Sequence, residues 1–212
     1  ADVNVLGTLN IIQLAVENGV KRFINTSSGG CVYGEPDSVP VSEEAPRRPD
    51  SPYGVSKNVA EEYIRYYERS RGISCCTLAL ANVYGPRQNA FGEAGVVAIF
   101  IGRILAGEEC VIYGDGEQTR DFTYVANVVD GALRACEAPQ AVGQVINVAT
   151  GGRISLNRLF QALRELTGAD VEPVYADPRP GDVRDSQADI SRARALLGYE
   201  PIVSFEEGLR RT

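Results

Sequence analysis

Tyr53 and Lys57 stand four residues apart in the run Ser51-Pro52-Tyr53-Gly54-Val55-Ser56-Lys57. On a helix, that spacing puts both side chains on one face. A free phenol titrates near ~10 and is a poor base at neutral pH. A nearby ammonium favours the phenolate and lowers that value. A phenol tuned in this way can exchange a proton with a substrate hydroxyl. The chain has ten tyrosines but only two lysines, Lys21 and Lys57, so a chance Tyr-x-x-x-Lys arises in roughly one such chain in ten. Taken alone, the pair fits an acid/base couple and an ordinary helix surface about equally well.

The flanking pattern supplies elements that could hold such a pair. Val3, Leu6, Ile11, Leu14 and Ala15 recur at helical spacing, and Asn18-Gly19 closes a helix over 2–18. A short buried strand is expected over 22–26, and Ser27-Ser28-Gly29-Gly30 ends it as a loop. Pro36, Pro40, Pro46, Pro49 and Pro52 make 34–52 an irregular loop. A second helix over 52–70 carries the Tyr/Lys pair, and 73–81 reads as a strand buried on both faces. The alternation of helix and strand implies an α/β fold with a parallel sheet.

Beyond Gly85-Pro86-Arg87 the texture changes. A glycine-rich loop to Gly95 leads to a helix near 96–106, a strand over 110–113 and the turn Gly114-Asp115-Gly116. A helix is expected over 127–136, a strand over 144–148 that could rejoin the first sheet, and an amphipathic helix over 155–167. The stretch near 173–180 reads as a loop, and 191–197 as a helix closed by Gly198.

Composition narrows the chemistry. The chain has 212 residues and is 44% hydrophobic and 23% charged, enough for one large or two small domains with a sizeable core. A net charge of −7 argues against a nucleic-acid partner. The absence of histidine removes Ser-His-Asp and Cys-His catalysis and any His-ligated metal, and no metal site is expected. Five cysteines at 31, 75, 76, 110 and 136 form no Cys-x-x-Cys and read as reduced core thiols of a cytoplasmic protein. Cys75 and Cys76, adjacent in a strand, point to opposite faces. No apolar stretch approaches the ~18 residues of a membrane span.

Six phrases occur in order: Asn4-Val5-Leu6-Gly7-Thr8, Thr26-Ser27-Ser28-Gly29-Gly30-Cys31-Val32-Tyr33-Gly34, the Tyr53/Lys57 run, Asn82-Val83-Tyr84-Gly85-Pro86-Arg87, Thr119-Arg120-Asp121-Phe122 and Arg179-Pro180-Gly181-Asp182. The series resembles the extended short-chain dehydrogenase/reductase family, and within it the NAD-dependent nucleotide-sugar epimerases of the UDP-glucose 4-epimerase type. The resemblance covers essentially the whole chain. Members carry a Gly-x-x-Gly-x-x-Gly turn where a helix N-terminus accepts the NAD pyrophosphate, and no such run stands here. The resemblance therefore implies the family fold without its N-terminal glycine-motif portion. That is the C-terminal part of a Rossmann-like doubly wound parallel sheet plus a smaller mixed α/β substrate domain. It divides the chain into a partial NAD-binding unit over 1–85, rejoined by about 122–150, and a nucleotide-sugar unit over 86–121 and 151–212.

Carried over residue by residue, the resemblance makes Tyr53 the acid/base on the sugar C4 hydroxyl. Lys57 would hold the nicotinamide ribose and depress the Tyr53 pKa. The usual hydroxyl position is Gly29 here, so Ser28 is the first choice for the orienting hydroxyl and Ser27 the second. Ser27 and Asn4 would touch NAD, Asn4 having the alternative role of a helix cap. Asn82 would bond the sugar or diphosphate, although Ala79-Leu80-Ala81-Asn82 departs from the family's Arg-Tyr-Gly-Asn. Val111 and Tyr113 would line the base, Arg120 and Arg179 would clamp the diphosphate, and Asp182 would accept the ribose hydroxyls.

The implied activity is a UDP-sugar 4-epimerase working through a transient 4-keto sugar, in carbohydrate metabolism. The implied assembly is a homodimer built on the helices over 2–18 and 52–70. Alternatives are a nucleotide-sugar decarboxylase, a reductase or a 4,6-dehydratase. For the dehydratase, Gly30 and Cys31 stand where an Asp-Glu pair is needed. From a different class, the alternative is a non-catalytic nucleotide-sugar-binding fragment.

Overall fold

The computed structural model describes residues 1–91, 95–179 and 181–212. A π-helical turn over Asp2–Gly7 runs into α1, Thr8–Glu17. Strand β1, Arg22–Ser28, and a short helix α2, Gly29–Val32, follow. After the proline-rich loop come α3, Pro52–Arg71, and β2, Ser74–Leu80. The start of α3 is set locally. Pro52 fixes the backbone at a position whose N–H would have no helical partner, and the Ser51 hydroxyl accepts from the Gly54 N–H at 3.1 Å. Gly72 closes the helix in the left-handed conformation at φ 71°.

Next come β3, Asn82–Tyr84, α4, Val96–Ala106, and β4, Cys110–Tyr113. Two short strands, β5, Thr119–Arg120, and β6, Phe122–Tyr124, lead into α5, Val125–Glu137. Then follow β7, Val145–Val148, β8, Ile154–Ser155, and α6, Leu156–Thr167. The last elements are β9, Pro173–Ala176, α7, Ser191–Leu197, and α8, Phe205–Arg211.

The first sheet is parallel in the order β1-β2-β7, so the expected return of the 144–148 strand is observed. Both faces are covered. Cys75 packs with Ile12, Ile64 and Ile73 under α1 and α3. Its neighbour Cys76 joins Leu78, Ile146, Val148, Ala193 and Tyr199 on the side of α5 and α7. Adjacent residues on a strand face opposite ways, so the two thiols belong to different cores. A third core gathers Tyr84, Phe100, Ile112, Phe122, Phe160 and Leu209. It lies among α4, α6, α8 and three two-stranded pairs, β3-β6, β4-β9 and β5-β8.

Several expectations change. β1 runs on through Ser28 because Ser27 and Ser28 still pair with Ala79 and Leu80, and α2 replaces the expected loop. The stretch read as a loop near 173–180 contains β9, which pairs along β4 from Cys110 against Pro173 to Tyr113 against Ala176. Pro173 is tolerated because it opens the strand. Residues 92–94 of the glycine-rich loop, and Pro180, lie outside the described residues. α7 falls in the 151–212 stretch yet packs into the core of the first sheet. Cys136 is exposed and Cys31 partly so, leaving Cys75, Cys76 and Cys110 as core thiols. Cys136 shares the outer face of α5 with the exposed Val129 and Leu133. Among the described residues no helix is long and apolar enough to cross a membrane.

Candidate active site

α3 brings Tyr53 and Lys57 to the carboxyl end of β1, the end of a parallel sheet where ligands collect. Lys57 Nζ donates to the Thr26 carbonyl at 3.0 Å and lies 5.9 Å from the Tyr53 ring centre. The Ser28 side chain neighbours the Tyr53 phenol, and Tyr53 is 46% exposed. Burial pushes the Tyr53 phenol above its ordinary value, and Ser28 pulls it back in part. Burial likewise holds the Lys57 amine below its ordinary value, opposed by the charge of Glu61. The expected depression of Tyr53 by Lys57 is therefore not present in the chain by itself. The ammonium is turned to the Thr26 carbonyl, and desolvation dominates at the phenol.

Gly54 explains why glycine follows the tyrosine. A Cβ there would meet the Cys31 carbonyl oxygen at 2.5 Å and Pro49 at 3.1 Å. Only a bare backbone lets the first turn of α3 come this close to α2. Gly54→Ala is expected to destabilise the fold by about 1–3 kcal/mol, as overpacking does. Urea unfolding checks this, and an unchanged midpoint would mean that α3 moves away without cost.

Asn4 lies in the N-terminal π-helical turn rather than capping a helix. Its Nδ2 donates to Ser56 Oγ at 2.9 Å, and the Ser56 hydroxyl donates to the Tyr53 carbonyl at 2.7 Å. Asn4 thus ties the Tyr53 turn to the neighbouring helix. Ser27, expected beside the cofactor, is turned inward. It is 4% exposed, and its hydroxyl is committed to Glu61.

The other expected residues meet in one cleft of about 380 Å³, lined by Asn82, Val111, Tyr113, Arg120, Arg179 and Asp182 among others. Strand alternation accounts for β4. Cys110 and Ile112 point into the core, leaving Val111 and Tyr113 on the cleft side. The Arg179 guanidinium lies 3.7 Å from the Tyr113 ring centre, within cation–π range. Its hydrogen bond and charge hold the Tyr113 phenol below the ordinary value. Arg120, 14% exposed at its side chain, is ion-paired with Asp182 and donates to the Thr119 carbonyl at 2.8 Å. Its neighbour Asp121 turns inward and accepts from Thr150 N–H and Gly151 N–H, both at 2.9 Å. Asn82 opens β3 and is exposed. Ser28 pairs with Leu80, two residues before Asn82, so the parallel register joins the Tyr/Lys group to the edge of the cleft.

Two polar cleft residues were not anticipated. Arg103 on α4 adds a third arginine to the lining. Gln118 is 6% exposed and donates through Nε2 to the Tyr113 carbonyl at 2.6 Å. Its place directly before Thr119-Arg120 was the available signal. Among the described residues no group of three or more Cys, Asp or Glu could hold a metal ion.

A family model described as "NAD dependent epimerase/dehydratase family" matches residues 1–149. The UDP-glucose 4-epimerase of Mycolicibacterium smegmatis is 45% identical over 212 residues, which is 100% of this chain and 67% of that protein. The crystal structure of a UDP-glucose 4-epimerase with UDP-glucose from Thermotoga maritima superposes with a TM-score of 0.95 at 47% identity, covering 100% of this chain and 68% of that one. A Thermus thermophilus UDP-glucose 4-epimerase in complex with NAD superposes with a TM-score of 0.89 at 37% identity, covering 100% and 68%.

Proposed function

The chain belongs to the NAD dependent epimerase/dehydratase family, and from that membership we propose that it is an NAD-dependent UDP-sugar 4-epimerase of the UDP-glucose/UDP-galactose type. The observation that carries the reading is convergence. Six of the expected residues line one cleft, and one of them, Asn82, follows two residues after Leu80, the strand partner of Ser28.

In this reading Tyr53 accepts the proton of the sugar C4 hydroxyl and returns it, while Ser28 orients that hydroxyl. Arg179 and Arg120 grip the diphosphate with guanidinium forks, and Asp182 accepts from the ribose hydroxyls. Val111 and Tyr113 flank the base, and Asn82 bonds the sugar or diphosphate. Asn4 steadies the Tyr53 turn on the cofactor side.

The donor set fits the nicotinamide-ribose half of NAD. Lys57 uses one of its three N–H donors on Thr26 and has two left for ribose hydroxyls. When bound, the nicotinamide supplies the hydride acceptor and donor for C4, and NAD is regenerated in each turnover. Incubation with NAD and UDP-glucose, followed by NMR, is expected to yield UDP-galactose, and a parallel run with UDP-GlcNAc defines the sugar range. No conversion of either would count against the proposal. A 4,6-dehydratase is disfavoured because α2 reads Gly-Gly-Cys-Val, with no acid at Gly30 or Cys31.

The division into a cofactor-side unit over 1–85 and about 122–150, and a nucleotide-sugar unit over 86–121 and 151–212, belongs to the same proposal. So does a cytoplasmic location, in keeping with cysteines that are all free. A homodimer completes it. Leu6, Ile11, Leu14, Tyr63 and Tyr66 are exposed on two helical segments that pack side by side. Light scattering is expected to give twice the 22.8 kDa chain mass, and Leu14→Asp to return the monomer. A monomeric wild type would remove the dimer from the reading.

A further inference from the structure

Glu61 is a carboxylate only 1% exposed, and the acid/base reading gives it no task. It stands one helical turn past Lys57 and two past Tyr53 on α3, so the three follow one another along neighbouring positions of one face. Its Oε1 accepts the Ser27 hydroxyl. Its Oε2 accepts from Arg47 Nη2 at 3.1 Å, and Arg65 Nη2 lies 3.9 Å away.

Ser27 sits between the two residues that hold the reacting side chains. The Thr26 carbonyl takes the Lys57 ammonium, and the Ser28 hydroxyl meets Tyr53. The network also runs outward. Arg47 lies 4.4 Å from the Tyr33 ring centre, and the Tyr33 hydroxyl donates to Asn147 Oδ1 on β7 at 3.0 Å.

A carboxylate this deeply buried is unfavourable unless it is paired and hydrogen-bonded. Its partners here come from β1, the proline-rich loop and α3 itself. We propose that Glu61 is the positioning residue of the Tyr53/Lys57 pair. Through Ser27 it clamps α3 to the carboxyl end of β1, and it sets a negative charge one turn beneath the Lys57 ammonium.

The inference rests on reading Tyr53 and Lys57 as the acid/base pair, but its test does not require turnover. Lys57 faces Tyr53 and Glu61 on its own helix and the Thr26 carbonyl of β1. Glu61 faces Ser27 of β1, Arg47 and Tyr33 from beyond α3, and Arg65. Burial pushes the Lys57 amine down, and the Glu61 charge opposes that push.

The only two lysines are Lys21 and Lys57. Protein labelled with ¹³C at lysine Cε therefore gives two titrating resonances, assigned with Lys21→Arg. Glu61→Gln keeps an acceptor for Ser27 but removes the charge. It is expected to lower the Lys57 midpoint by about one pH unit and to leave Lys21 unmoved. Glu61→Asp keeps the charge and is expected to restore most of the wild-type midpoint. If circular dichroism shows Glu61→Gln unfolded, Arg47→Gln reads the same coupling with the opposite sign. Removing the cation paired with Glu61 raises the Lys57 midpoint.

A folded variant of either kind with an unmoved Lys57 midpoint overturns the proposal. Epimerisation measured on the same samples separates the two readings. A shifted midpoint in a protein that never epimerises supports the charge of Glu61 on Lys57 and removes the proposed activity. An unmoved midpoint in an active enzyme removes the proposal for Glu61 alone.

Discussion

Replacing Tyr53 by Phe is expected to slow UDP-glucose epimerisation by ~10²–10⁴-fold, the usual contribution of a positioned acid/base, while UDP binding persists. The change removes one oxygen from a side chain that is half exposed, so the fold has little reason to respond. The phenol stands above its ordinary value in the ligand-free chain because burial disfavours its charge. Turnover is therefore expected to rise with pH until the phenol is ionised. Single-turnover kinetics with UDP affinity measured in parallel test both statements. A Tyr53→Phe protein that keeps half its turnover would take Tyr53 out of the chemistry.

Arg179→Ala is expected to weaken UDP binding by roughly 1.5–3 kcal/mol, the range of hydrogen bonds to charged groups, or about 10–150-fold in Kd. Arg179 is the stronger test of the cleft because, among the described residues, it makes no salt bridge. Its guanidinium lies over Tyr113 with its charge available to an anion. Arg120 differs, since Asp182 already balances it. Arg179→Lys keeps the charge but loses the planar fork, so calorimetry should place it between the two. A Kd unchanged in Arg179→Ala would make the residue a surface cation with no part in nucleotide binding.

Much of the scaffold was readable locally. The bounds expected for α4, β4 and α7 match the structure, and α3 differs by one residue at its C-terminal end. Caps, glycine stops and apolar period lie within a few residues of the element they define. The buried run in β2 was legible for the same reason, and so was the split of Cys75 and Cys76 between two cores. The site residues were legible only through motif resemblance. Spacing alone could not tell Tyr53 and Lys57 from a helix surface, because a catalytic pair and an idle one have the same periodicity.

Other features depended on partners far away in the chain. β9 exists because β4 lies beside it, and β5 and β8 are two-residue strands with no local pattern to announce them. The different surroundings of Ser27 and Ser28 depend on two residues of strand length. Once β1 continues through Ser28, one hydroxyl is directed to Glu61 and the other to Tyr53. The sequence by itself therefore determined the longer helices and the buried strands, and which residue types could carry acid/base chemistry and bind a dianion. Tertiary structure alone decided that six residues spread from Asn82 to Asp182 share one cleft, that Arg120 meets Asp182, and that burial rather than Lys57 governs the ligand-free phenol. Desolvation and ion pairing depend on what the chain brings together from a distance, and no local pattern carries that information.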